Sequence, residues 1–396
     1  MMRPSMIFAA LVAALVGYGS TIALVLAAAA ALGATPAQTG SWVLAICLGK
    51  AAGSAWLSWH ARVPVVLAWS TPGAALIAAT EGVTMAQGVG AFVLTGVMIA
   101  LTGALRPLGR LVAMIPDAIA AAMLAGVLLP FCLKLPQTAV ALPALTLPLI
   151  VVFALVRLKN PALAVLAALA LGIGASFATG QAHLPQLTLP LPQLTFIPPE
   201  FDPTVLLGLA LPLYLVTMAS QNLPGFATLR AAGFEPPVQA SLLGTGGISA
   251  LIALAGAHSI SMAAITAAIC MGDDVHPDRG RRWPVGLAYA LFWVLLGLAS
   301  PLILSLLAAL PPVLITAIVA LALLGPFMGA ASVAFATTAT RFPTAVTIAV
   351  TASGTPALGI GAAFWGLLAG LAVHGLELWK ERGLAPGADQ KGRSSD

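Results

Sequence analysis

From Pro4 to Gly49 not one residue carries a charge. A run of that length belongs in hydrocarbon, where every backbone N–H and C=O must be bonded within the protein, and only helices or closed barrels meet that demand. The pattern persists along the chain, which is 60% hydrophobic and 7% charged, against roughly 25% charged in a typical soluble domain. The apolar segments are rich in Ala, Leu, Val and Gly and lack the alternation of a membrane barrel, so the spans are helices. At about 20 residues per crossing, the 396 residues make an all-α polytopic membrane protein with no room for a large soluble domain.

The spacing predicts fourteen segments: 6–32, 38–59, a broken one at 63–80, 84–105, 112–133, 140–158, 161–180, 203–222, 238–254, a second broken one at 255–271, 283–300, 302–327, 342–353 and 357–379. No small-residue cleavage pattern follows the first run, which reads as a span and not a signal peptide. With both termini cytoplasmic, Arg3, Arg62, Arg106, Arg110, Arg157, Lys159, Arg230, Arg279, Arg281, Arg282, Arg341, Lys380, Arg382, Lys391 and Arg393 fall inside, and only Lys50 and Lys134 do not. That bias obeys the positive-inside rule and identifies the net charge of +5 as topology, not nucleic-acid binding. Cys47, Cys132 and Cys270 sit in apolar segments without metal-ligand spacing, so neither a disulfide framework nor a zinc site is indicated.

The polar stretch 181–202, free of Lys and Arg, lies outside and divides the chain into halves, 1–180 and 203–380, with a cytoplasmic tail at 381–396. "IPDAIAAAMLAGVLLPF" at 115–131 matches "PPVLITAIVALALLGPF" at 311–327, setting Pro116 and Pro130 on Pro312 and Pro326 and Phe131 on Phe327. "LGATPAQ" at 32–38 echoes "AGFEPPVQ" at 232–239, pairing Gly33 with Gly233 and Pro36 with Pro236. Seven segments per half is odd, so the halves enter the membrane in opposite senses, the inverted repeat of secondary transporters.

Within "RVPVVLAWSTPGAALIAAT", the valines and Pro64 favour extended chain, after which Thr71 caps a helix with Pro72 in its first position. That helix, ending near Thr80, covers roughly 13 Å, less than half of a ~30 Å core. Strand plus half-helix, starting near mid-membrane, is the expectation. The partner position is "AGAHSISMAAITAAICMG" at 255–272, where His258, Ser259 and Ser261 precede another short helix. Two half-helix N-termini at one point near the midplane suit a small anion.

Other polar groups have two readings each. Gln221 contacts substrate or a gate, whereas Asn222 also serves as a cap and turn before Pro224. Tyr18, in "GYGST", stacks on a substrate ring or bonds to backbone. Lys50, near the centre of the second span, attracts an anion or pairs with a carboxylate such as Glu81 or Asp117, because an unpaired charge there costs about 2.5–3.5 kcal/mol. Glu81, ending the first half-helix, is an interfacial residue or a proton carrier. His60, His183 and His374 give no metal spacing. The Asp273, Asp274 and Asp278 cluster admits a magnesium-dependent prenyl transferase, but no second acidic cluster accompanies it and the adjacent arginines fit a cytoplasmic loop. No phosphate loop is present, and no cofactor is indicated.

At "LPLYLVTMASQNLPGFATLRAAGFEPP" (211–237), "VVLAWSTPGAALIAAT" and "HPDRGRRW", the chain resembles the benzoate:proton symporter (BenE) family over nearly its whole length. The family is similar in fold to nucleobase and sulfate-type transporters. The resemblance implies a core domain of segments 1–4 and 8–11, a gate domain of segments 5–7 and 12–14, and uptake of benzoate or a similar aromatic carboxylate with protons across a bacterial inner membrane. Substrate would lie between Ser70/Thr71 and His258/Ser259/Ser261, flanked by Tyr18 and Gln221. Nucleobase relatives carry glutamates in the "MASQN" span and in the second half-helix; their absence here fits an anionic substrate and leaves the proton carrier unassigned. The partners implied are the carboxylate, protons and membrane lipid, with room for a homodimer; a nucleobase or inorganic-anion carrier on the same fold is the alternative.

Overall fold

The computed structural model describes residues 3–105, 116–182 and 191–384. Arg106, Arg110, His183, Lys391 and Arg393, the start of the matched segment at Ile115, the start of the span at 112, residues 183–190 of the connection and most of the tail lie outside the described residues. The chain is a mostly helical, polytopic membrane protein, 75% helix. Among the described residues, six helices are long and apolar enough to cross a bilayer, or seven if a pair bent by 55° counts as one span. The other segments are shorter or more polar, so length and hydropathy alone support fewer crossings than the fourteen read from the sequence.

Helices α1 (Pro4–Gly19) and α2 (Ile22–Ala31) are offset at Ser20 and Thr21. The two hydroxyls donate back to the carbonyls of Val16 (2.5 Å) and Gly17 (2.9 Å), a bond that bends helices. Helix α3 (Pro36–Ala61) opens with a capping box, Thr35 and Gln38 each accepting the other's backbone N–H, and closes at Arg62, left-handed at φ 54. Its 26 residues span about 39 Å, and Lys50 lies near the middle of the helix.

Extended chain then leads into strand β1 (Leu67–Trp69) and the eight-residue helix α4 (Thr71–Ala78). The cap is Ser70 and not Thr71: its Oγ accepts the Gly73 N–H at 3.1 Å. An N-cap side chain reaches the second and third N–H groups of its helix; Pro72, the second helical residue, has none, so Ser70 bonds that of Gly73. Helices α5 (Met85–Ala104), α6 (Asp117–Cys132), α7 (Lys134–Ala141), α8 (Pro143–Lys159) and α9 (Pro161–Ala178) complete the first half.

The second half corrects the sequence reading in three places. The span placed at 203–222 continues as α10 to Ala231. Two π-turns, Leu206–Ala210 and Met218–Asn222, interrupt it, and each is followed by Leu-Pro. A wide turn closed by an i to i−5 bond, Leu211 N–H to Leu206 O and Leu223 N–H to Met218 O, relieves the clash and missing donor of Pro212 and Pro224. The chain therefore passes both prolines as one helix, and Asn222 is no cap. After α11 (Val238–Ala253), strand β2 (Ile260–Met262) precedes a helix, α12 (Ile265–Ile269), of five residues only. Following α13 (Val285–Leu298), the segment placed at 302–327 is two helices, α14 (Ser300–Ala308) and α15 (Pro312–Ala334), broken before Pro311. Helices α16 (Arg341–Ala352) and α17 (Ala362–Leu384) end the fold.

Packing across the halves is reciprocal. Helix α5 packs on α11 as α13 packs on α3, and α6 packs on α15. The turns at Gly33 (φ 67) and Gly233 (φ 78) are both left-handed, each closed by a bond five residues back, Ala34 N–H to Ala29 O and Phe234 N–H to Leu229 O. This is the Schellman geometry that glycine permits. Helices α6 and α15 start from Pro116 and Pro311 with nearly the same backbone, one residue off the register that aligns Pro130 with Pro326. Where α5 meets α11, backbones touch: a Cβ on Gly96 would lie 2.5 Å from the Ala250 nitrogen. At the centre β1 and β2 pair antiparallel, Leu67 opposite Met262, Ala68 opposite Ser261 and Trp69 opposite Ile260.

Candidate functional site

A cavity of about 870 Å³ lies beside the strand pair. One wall is the α1–α2 offset (Gly17, Ser20, Thr21), Lys50, the β1–α4 junction (Trp69, Thr71, Pro72), the second π-turn (Ala219, Ser220, Gln221), the segment after β2 (Ala263 to Thr266) and Tyr289. The facing wall is α6 (Asp117, Ala121, Leu124), α8 (Phe153, Arg157), α9 (Pro161, Val165) and α15 (Leu321, Ala322, Gly325, Met328). Apolar side chains make up most of both walls, and polar atoms are few.

Behind the first wall the broken segments are tied by a buried network. Ser70 Oγ meets Thr217 Oγ1 at 2.8 Å, and that hydroxyl meets Ser259 Oγ at 3.2 Å. The Ser70 N–H donates to Ser259 O at 3.0 Å. Indole N–H can only donate, so the 3.0 Å contact from Trp42 Nε1 makes His258 Nδ1 an acceptor. The ring proton then sits on Nε2, which donates to Ser70 O at 3.2 Å. Both ring nitrogens of His258 are thereby engaged, Nε2 holding one broken segment to the other and Nδ1 anchoring the second to α3. Asn222 Oδ1 accepts the Met262 N–H at 3.0 Å, bonding the π-turn to β2.

Lys50 is 1% exposed and reaches the cavity from mid-α3. Among the described residues no carboxylate lies within 4.0 Å of it. Its ammonium instead sits 2.9 Å from the Trp293 ring centre and 4.4 Å from that of Trp69. The carboxylate pairing with Glu81 or Asp117 is thus not formed: Glu81 is exposed after α4, and Asp117 is exposed at the start of α6, on the facing wall. A desolvated cation–π contact is worth about 2 kcal/mol, less than the several kcal/mol that burying an unpaired ammonium costs. A charged Lys50 in this site is short of one negative charge.

Of the residues singled out in the sequence, Lys50, Thr71, Asp117 and Gln221 line the cavity. Ser70, Asn222, His258, Ser259 and Ser261 lie one layer behind it, in the network. Tyr18 also lies behind, its ring 5.8 Å from both Trp69 and Trp293 and its hydroxyl without a hydrogen-bond partner, so the backbone bond considered for it is not made. Sequence reasoning missed Thr21, Trp42, Trp69, Thr217, Tyr289 and Trp293. Thr21 accepts the Trp69 indole N–H at 2.6 Å, and Tyr289 donates to Leu67 O at 2.9 Å. Polar or aromatic residues scattered through apolar spans carry no local signal. Arg157, read only as a topology marker, faces the cavity with Nη2 3.6 Å from Met328 Sδ.

The aspartate cluster serves a loop. Arg282, 4% exposed, donates to the carbonyls of His276 (2.6 Å) and Met271 (2.7 Å) and to the Asp273 carboxylate. Asp278 accepts the Gly280 N–H at 2.9 Å and pairs with Arg281 at 3.3 Å.

Two broken segments bonded to each other in a helical bundle, with a cavity reaching a buried charge beside them, are the anatomy of a membrane transporter and not of an enzyme. The chain belongs to the BenE family, described as benzoate membrane transport protein, which it matches over residues 1–376. It is 38% identical to the inner membrane protein YdcO of Escherichia coli over 93% of this chain and 94% of that protein. It is 32% identical to the benzoate membrane transport protein of Acinetobacter baylyi over 92% of this chain and 93% of the relative. In fold it is similar to the transmembrane domain of the cyanobacterial bicarbonate transporter BicA, with a TM-score of 0.59 at 16% identity, covering 93% of this chain and 98% of that one. It is also similar to the murine Slc26a9 anion transporter in the inward-facing state, with a TM-score of 0.63 at 13% identity, covering 96% and 69%.

Proposed function

We propose that this protein imports benzoate or a similar aromatic carboxylate together with protons, by alternating access, across a bacterial inner membrane. The observation that carries the reading is Lys50, a buried amine with no carboxylate beside it, at the wall of a largely apolar cavity. A substrate carboxylate supplies the missing charge, and its ring packs between Trp69 and the aliphatic side chains of Leu124, Val165 and Leu321. The first helical residue of α4, Thr71, and the side chain of Gln221 are the polar groups available to orient the carboxylate; a helix N-terminus favours an anion. Ser70, His258, Ser259, Ser261 and Asn222 act at one remove, fixing the position of that N-terminus. The family, and a relative named for benzoate transport, support the substrate class.

The fourteen segments are α1–α2, α3, β1–α4, α5, α6, α8, α9 and then α10, α11, β2–α12, α13, α15, α16, α17, two inverted repeats whose reciprocal packing supports the division. The first four of each repeat form a core that moves against a gate made of the last three. The cavity is lined by residues of both sets, Arg157 at the basic end of α8 among them. The positive-inside rule assigns that end to the cytoplasm, with both termini inside.

The test is uptake of radiolabelled benzoate into proteoliposomes with and without an inward proton gradient, with uracil, sulfate and bicarbonate as competitors. Accumulation driven by the gradient and blocked by unlabelled benzoate is expected. Transport of a competitor without benzoate flux would overturn the substrate while keeping the fold.

A further inference from the structure

We propose that Lys50 itself carries the co-transported proton. The inference rests on the carboxylate reading above. Within α1–α5, β1, β2 and α10–α13, Lys50 and Arg230 are the only Lys, Arg, Asp or Glu, and Arg230 lies in the last turn of α10. The cavity wall built by these elements therefore holds a single group that can gain and lose a full positive charge next to a bound anion.

The titratable neighbours leave that role to Lys50. On its own helix, Cys47 stands one turn earlier and is fully buried. From α1 comes Tyr18, packed on the same two indoles. From α13 comes Tyr289, whose hydroxyl is spent on Leu67 O. Ahead of β2, His258 has both nitrogens engaged. Helices α2, α11, α14 and strand β1, also packed on α3, bring no titratable side chain. Asp117 and Arg157 face the cavity from the opposite wall, and Asp117 is exposed. None of these supplies a standing counter-ion to Lys50.

A lysine so placed meets a negative charge only when substrate is bound. Anion binding and protonation of the amine then favour each other equally, as linkage requires. The amine takes a proton from the side on which the carboxylate enters. The pair crosses as a neutral ammonium–carboxylate complex, both leave together, and the empty carrier returns with a neutral amine. One proton and one carboxylate move per cycle, and no charge is left behind. The indoles of Trp69 and Trp293 hold the side chain in place through the cycle.

The experiment is calorimetric titration of benzoate into the purified full-length protein in two buffers of different ionisation enthalpy, which counts protons taken up, together with uptake in proteoliposomes. The wild-type protein is expected to take up about one proton per benzoate. Lys50→Arg, permanently charged but able to lie on the same indoles, is expected to bind benzoate within about tenfold of wild type. It takes up no proton, and it equilibrates labelled benzoate without accumulating it under an inward proton gradient. Benzoate binding by the wild type without proton uptake overturns the inference whatever the variant does. A Lys50→Arg protein that still accumulates benzoate under the gradient overturns it as well. No benzoate binding by the wild type overturns the substrate reading, and this inference with it.

Discussion

The crossing of α5 and α11 offers a quantitative test of how the core is held. A methyl added at Gly96 would lie 2.5 Å from the Ala250 nitrogen, 2.8 Å from the Gly246 oxygen and 2.9 Å from the Ala250 Cα. All three are backbone atoms, so no side chain can swing aside, and the helices must part by roughly 1 Å to restore ordinary contact. Overpacking of this kind costs about 1–3 kcal/mol. Alanine also gains up to about 1 kcal/mol over glycine in helix propensity, which would mask part of the strain. Gly247, the next residue along α11, has nothing within 4 Å of its added methyl, and Gly247→Ala reports the propensity gain alone. The difference between the two variants isolates the clash. With unfolding entropy scaled by chain length, 1–3 kcal/mol corresponds to an apparent Tm for Gly96→Ala roughly 1–4 °C below that of Gly247→Ala. Thermal unfolding in detergent at one fixed scan rate measures it, since unfolding of such proteins is irreversible. An apparent Tm for Gly96→Ala equal to or above that of Gly247→Ala would refute close backbone packing as the origin of the crossing.

Asn222→Leu strips the buried Met262 N–H of its acceptor, for a loss of about 1–3 kcal/mol; weaker benzoate binding and a lower apparent Tm are expected, and an unchanged pair of values would show the bond to be dispensable. Arg282→Lys keeps the charge but loses the planar fork that holds two carbonyls and Asp273, so faster tryptic cleavage between residues 273 and 283 is expected; cleavage at the wild-type rate would argue against the clasp. Asp202 is held below the ordinary carboxylate range, first by the Thr204 hydroxyl and then by the N–H groups of Val205 and Thr204. With its folded value depressed, its contribution to the start of α10 is present above about pH 4 and is lost as pH falls through the folded value. Amide exchange at Thr204 and Val205 should accelerate on acidification in the wild type but be insensitive to it in Asp202→Ala beyond the intrinsic rate change.

The broken first segment was legible because its signals are local: a valine run with Pro64, then Ser-Thr-Pro-Gly. The pairing of Gly33 with Gly233 was legible because each stands three residues before a matched proline, and the structure adds that both turns are left-handed. The passage of α10 through Pro212 and Pro224 was not, since proline reads as a breaker and a π-turn leaves no compositional mark. The surroundings of Lys50 were also hidden. Trp69 and Trp293 come from opposite halves, and only the tertiary fold brings both rings onto one ammonium. Of the residues expected around substrate, those at the cavity and those in the layer behind look alike in sequence; burial and hydrogen bonding separate them.

The pairing of β1 with β2 also constrains biogenesis. Ser70 and His258 are 188 residues apart, so the first broken segment enters the bilayer with its strand unpaired. At about 5–20 residues per second, the ribosome needs roughly 10–40 s to make the partner. Over that interval the nascent half carries naked backbone N–H and C=O groups in an environment that penalises them. Insertion machinery, a waiting chaperone or a shallow pre-insertion position must shelter them, and a ribosome stall before residue 260 would strand the protein in a form that quality control can recognise by its unsealed middle.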